Sequence, residues 1–158
     1  MAVLDRSDAT SLGLPFMDQA RGRFARLLTQ VEEAGNAALP AAWRDLLAYA
    51  VELFACEDIW MRASGFAARK DHAAQHRVVL EVMREGAVHA AGGRLAQLRE
   101  MARQLRDWHE AHGRTMDAPL ARHLRKRRAS RRNAGVQLRA SHAARPPLRA
   151  AAQHASQR

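Results

Sequence analysis

His72 and His76 stand four residues apart. On a helix that spacing puts both imidazoles on one face, about one turn apart, where they can chelate a single metal ion. The pair alone is a weak signal, and its plain alternative is two partly exposed polar side chains. Glu57 adds weight because it falls among Leu53, Phe54 and Met61 on an apolar stripe. A carboxylate facing a core is costly unless it is paired or metal-bound. Its neighbour Asp58 offers a simpler account, since one acid of an adjacent pair can point to water. His112 and Asp117, five residues apart, are further oxygen and nitrogen donors. Standing alone they would read as solvated helix-end residues. His109 reads as solvent-exposed, because one helical turn does not easily aim both His109 and His112 at one ion. His89 and His123 receive no role. Cys56, the single cysteine, reads as a small buried core residue without redox function. Trp60, Met61 and Trp108 read as packing around the pocket.

Helices must position these residues. Gly and Pro are sparse, Ala, Leu, Arg and Glu are common, and β-branched residues are too few for several strands. Residues 1–15, with Gly13 and Pro15, read as an arm. Phe16, Ala20, Phe24, Leu27, Leu28 and Val31 recur at spacings of three and four, which predicts a first helix from about Phe16 to Ala34. Pro40 suits the first turn of a second helix, which Gly65 ends. A third helix is expected from about Ala67 to His89, with Val79, Val82 and Met83 inward. A fourth begins near Arg94 after Gly92 and Gly93, and carries Leu95, Leu98, Met101, Leu105, Trp108 and His112. Four helices joined by short loops imply an all-α, up-down-up-down antiparallel bundle over residues 16–123.

The chain of 158 residues carries a net charge of +10. Residues 1–123 hold 16 basic and 16 acidic side chains, and residues 124–158 hold 10 basic and none acidic. The excess therefore belongs to the tail. With Pro146-Pro147 and no apolar period, residues 124–158 read as disordered rather than folded. The tail lacks aromatics interleaved with its arginines, so no nucleic-acid partner is expected. No secretory signal and no apolar run of about 20 residues is present, so the chain reads as cytoplasmic and without a membrane span.

Together the five candidate donors resemble the hemerythrin pattern. Phe54-Ala-Cys-Glu-Asp-Ile-Trp-Met61 is similar to F-x-x-E-E-x-x-M. His72-Ala-Ala-Gln-His76 resembles H-x-x-x-H. Trp108-His-Glu-Ala-His112 followed by Asp117 resembles W-L-x-x-H-I-x-x-x-D, and Leu12-Gly-Leu-Pro-Phe-Met-Asp18 resembles the family's G-x-P-x-I-D. The resemblance covers about residues 12–124. It implies a four-helix bundle holding two irons that bind dioxygen reversibly. His72, His76 and His112 would serve one iron, and Glu57 and Asp117 would bridge the two. The family's two histidines for the second iron fall at positions that read Arg21 and Leu53 here. Arg21 can then project a guanidinium towards the vacated half and pair with a bridging carboxylate, while Leu53 fills the volume of an imidazole. The alternative is a decayed site with Arg21 reaching solvent.

Three functions follow from these readings. The first is a non-enzymatic iron protein that binds, carries or senses dioxygen or another small oxygen species. The second is a protein with one iron, or another metal, that stores it or reacts with peroxide. The third is a metal-free interaction bundle. Oligomeric state and signalling partner are not readable from the sequence.

Overall fold

The structure is a computed structural model that describes residues 11–143, with side chains through Arg139. The first ten residues of the expected arm and residues 144–158 of the expected tail lie outside the described residues. Among those described there is no strand. The helices are α1 (Pro15–Glu33), α2 (Leu39–Ser64), α3 (Arg69–Ala91) and α4 (Leu95–His112), followed by a five-residue π-helical turn (Gly113–Asp117) and α5 (Ala118–Ala143). Each of α1 to α4 packs on two others, α1 on α2, α2 on α3, α3 on α4 and α4 on α1. This is the expected all-α four-helix bundle.

Local chemistry accounts for the ends. Pro15 and Pro40 occupy the first turns of α1 and α2, where the missing N–H costs nothing. Gly65 ends α2 at φ 68°, a left-handed conformation that a side chain would strain. Between α1 and α4, the Arg106 guanidinium donates to Glu32 Oε2 at 2.6 Å and to Thr29 Oγ1 at 3.0 Å. Between α1 and α2, the Tyr49 hydroxyl donates to the Ala20 carbonyl at 2.9 Å, one residue before Arg21.

The apolar interior falls into two clusters. The larger includes Phe24, Leu28, Trp43, Leu46, Leu53, Phe54, Val79, Met83, Leu98 and Leu105. The smaller contains Leu12, Leu14, Met17, Met61, Leu120 and Ala121. Along α2 the chain passes from Leu53 and Phe54 of one cluster through Glu57 to Met61 of the other. Along α1 it passes from Met17 through Arg21 to Phe24. Along α3 His72 and His76 precede Val79, and after α4 the order is Leu105, His112, Asp117, Leu120. A polar layer is thus held between two dry ones, which fixes its depth in the bundle.

Several expectations are corrected here. Val82 is exposed, because the inward stripe of α3 runs His72, His76, Val79, Met83, Gly86 and leaves Val82 beside it. Phe16 is also exposed, lying edge-on to Trp60 with ring centroids 4.8 Å apart. Cys56 is exposed rather than buried, since inward-facing Glu57 turns its predecessor about 100° away. Leu12 and Leu14, read as part of an arm, are buried in the smaller cluster. The chain beyond residue 123 is helical through Ala143, where no folded element was expected. Ala, Leu and Arg favour helix whether or not a face is buried. From Lys126 to Arg139 this separate unit is exposed almost throughout, with Val136 and Leu138 open to solvent. No described helix is long and apolar enough to cross a membrane.

Candidate metal centre

Five elements supply the polar layer: Arg21 from α1, Glu57 from α2, His72 and His76 from α3, His112 from the end of α4, and Asp117 from the π-helical turn that follows. The π-helical turn is what lets the last two cooperate. Five residues along an α-helix rotate a side chain by about 500°, which would aim Asp117 away from His112. The wider turn is marked by the Ala118 N–H donating to the Gly113 carbonyl five residues earlier. It brings both side chains to the interior, where they are 2–3% exposed.

All five candidate donors are buried, with relative exposure between 0 and 3%. Their inward atoms converge. His76 Nε2 lies 3.1 Å from Glu57 Oε2, and His72 Nε2 lies 3.5 Å from the same oxygen. Asp117 Oδ1 is 3.3 Å from His72 Nε2 and 3.2 Å from His112 Nε2. The two nitrogens Nε2 of His72 and His112 face each other at 3.1 Å. Donor atoms of Glu57, His72, His76 and His112 all lie within 4.8 Å of one another. Adjacent donors bound to one ion at about 2.1 Å sit about 3.0–3.4 Å apart, and four of these five distances fall in that range. Glu57 Oε2, His76 Nε2 and Asp117 Oδ1 are buried without a hydrogen-bond partner. Left so, each would carry a desolvation cost of about 1–3 kcal/mol. The residues present therefore fit one metal ion.

The surrounding groups prepare these donors. His112 Nδ1 is 2.9 Å from Gln75 Oε1. An amide oxygen only accepts, so the bond places the proton on Nδ1 and leaves Nε2 free to ligate. His76 Nδ1 lies 3.5 Å from Asp58 Oδ1. Asp58 does not simply point to water, as the simpler account of the acid pair held. Phe54 stacks on His76 at 4.1 Å between centroids, and Trp108 stacks on His112 at 4.5 Å. In the metal-free chain burial alone would lower the pKa of His72. The Asp117 and Glu57 carboxylates close to its Nε2 outweigh burial and raise it to about 9. Burial likewise opposes ionisation of Asp117, but His112, His72 and the Arg21 charge hold it well below the carboxylate range.

The opposite side of Asp117 is different. Arg21 Nη1 donates to Asp117 Oδ2 in a close ion pair, and Arg21 Nη2 reaches the His109 carbonyl at 3.4 Å. The Arg21 side chain is 16% exposed, so it does not reach out to solvent. Leu53 is buried in the larger apolar cluster. His109 corrects another expectation: it is buried, stacked on Phe24 at 4.6 Å, and its Nε2 has no partner. Burial, aided by the Arg21 charge, lowers its pKa to about 3. His123 Nε2 donates to the Ser64 carbonyl at 3.0 Å and lies outside the cluster. Gln75 and Gly113 were not singled out from the sequence, and Asp58 was read only as an acid that could point to water. Gln75 carried the one usable signal, its place between the two histidines of α3.

The chain is 32% identical over 127 residues to a bacteriohemerythrin of Ralstonia nicotianae, a match that spans 80% of this chain and 93% of that protein. No family model matches the chain. No solved structure matches it significantly.

Proposed function

Because this chain belongs to the hemerythrin family, we propose that its buried layer holds non-haem iron and binds dioxygen or another small oxygen species, for carriage or sensing, without catalytic turnover. One observation carries the reading. Glu57 Oε2, His76 Nε2 and Asp117 Oδ1 are buried without partners and turn towards the Nε2 atoms of His72 and His112. A metal-free bundle would leave those atoms unsatisfied. Imidazole and carboxylate donors suit iron, and family membership favours iron over other metals of similar preference. Bound there, iron supplies affinity for a small oxygen ligand.

The remaining work belongs to the protein. His72, His76 and His112 bind as neutral imidazoles, with Glu57 and Asp117 lowering the net charge of the site. Gln75 fixes which nitrogen of His112 carries the proton. Phe54 and Trp108 lie against the His76 and His112 rings and keep bulk water from them. Leu53 closes the layer from the apolar side.

The test is reversible ligand binding. Full-length protein loaded anaerobically with ferrous iron is expected to change its visible absorption when oxygen is admitted and to return when oxygen is removed. No spectral change, or irreversible loss of iron on exposure, would overturn the oxygen-binding reading.

A further inference from the structure

We infer that Arg21 takes the place of a second metal ion, so that the centre is built for a single ion with a covalently attached cation beside it. This rests on the proposal that the site binds metal. The family resemblance implies two irons bridged by Glu57 and Asp117, and the residues present do not fit the second.

The division of Asp117 is the first reason. Its Oδ1 faces the Nε2 atoms of His72 and His112, at 3.3 and 3.2 Å, while its Oδ2 is taken by Arg21 Nη1. A bridging carboxylate needs its second oxygen for the second ion, and here that oxygen already accepts from a guanidinium. The second reason is room. A Cβ added at Gly113 would overlap the Arg21 guanidinium, so the backbone of the π-helical turn is shaped to admit that group closely. The guanidinium lies against the Gly113 backbone and is held by Asp117 and the His109 carbonyl, so it occupies the space beside Asp117 Oδ2. The third reason is donor supply. Leu53 offers no ligand atom. His109 has an unpartnered Nε2 nearby, but one imidazole beside a permanent positive charge does not make a cation site.

Charge balance agrees. Two buried carboxylates demand positive charge within a few ångströms. A divalent ion on the histidine side and a guanidinium on the other supply it from both sides of the same carboxylate. Arginine suits the task because it stays protonated and its planar fork engages a carboxylate oxygen and a carbonyl together. Arg21 thus determines how many ions the site accepts.

The experiment counts metal in the full-length chain. Metal-free protein is reconstituted anaerobically with excess ferrous iron, desalted, and assayed for iron per chain. Wild type and Arg21→Lys are expected to hold about one equivalent, and Arg21→His, which exchanges the fixed cation for a neutral donor, is expected to exceed one. Two equivalents in wild type would overturn the inference and leave the metal reading standing. One equivalent in both wild type and Arg21→His would overturn the role of Arg21. No metal in any form would instead overturn the metal reading and the inference with it. Because Arg21→His can fail to fold, manganese(II) loaded into wild type gives a second measurement by electron paramagnetic resonance. The simple hyperfine pattern of an isolated ion is expected, and the pattern of an exchange-coupled pair would refute the inference.

Discussion

The two sides of Asp117 meet the same problem, a buried negative charge, in opposite ways. Towards α3 and α4 it faces His72 and His112, imidazoles that give up protons when an exchangeable ion takes their place. Towards α1 it faces Arg21, whose charge is part of the chain. The first arrangement leaves buried atoms unsatisfied until an ion arrives, and the second is complete when the protein folds. The difference teaches that a core carboxylate can be neutralised permanently or conditionally, and that only the conditional side can report on a ligand. It also explains the neighbours. His76 and His112 stack on aromatic rings and turn Nε2 into the donor cluster, whereas His109, beside the guanidinium, is held neutral.

The largest break in this comparison is expected from His72→Ala. Removing a donor that faces both carboxylates should lower metal affinity by more than about a hundredfold, beyond the loss typical of an outer-shell change. Chelator competition measures it, and unchanged affinity would show that the histidine side does not hold the ion. Gln75→Ala is smaller. It leaves every donor in place but frees the His112 ring, and affinity should fall by about ten- to a hundredfold in the same competition assay. An effect as large as that of His72→Ala would mean that Gln75 does more than orient His112.

The smallest effect sharpens the Arg21 side. The folded pKa of His109, about 3, lies below the ordinary value of 6.5. Between those values the unfolded chain binds a proton that the folded chain does not, so stability should fall as pH falls from about 6.5 towards 3. The slope from this residue reaches about 1.4 kcal/mol per pH unit. Denaturation of the metal-free protein at a series of pH values should show that slope reduced by His109→Phe. An unaltered slope would place the acid sensitivity elsewhere.

Much of this was legible in the chain. The apolar spacing of α1, α2 and α4 and the stops at Gly65 and Gly92 predicted the bundle, and His72, His76, Glu57, His112 and Asp117 are indeed brought into one layer. Of the two readings of Arg21, a pair with a core carboxylate or reach to solvent, the structure shows the pair. What escaped had physical causes. His109 sits on the same stripe as Leu98, Ala102 and Leu105, but histidine at a helix end is ordinarily solvated, so its burial was overlooked. The π-helical turn left no composition signal, although a regular helix would not bring two donors five residues apart to one face. Helix beyond residue 123 was missed because an apolar face was required of it, whereas propensity alone favours helix there.

Gly113 has a consequence for how this site could change over generations. Its missing side chain, the guanidinium above it and the carboxylate four residues on form a mutually dependent trio. Any side chain at 113 displaces Arg21, loss of Arg21 strands a negative charge in the core, and loss of Asp117 strands a positive one. Single steps away from the trio are therefore penalised even where the final combination would be sound. Changes at these three positions are expected to be tolerated in combination more readily than one at a time.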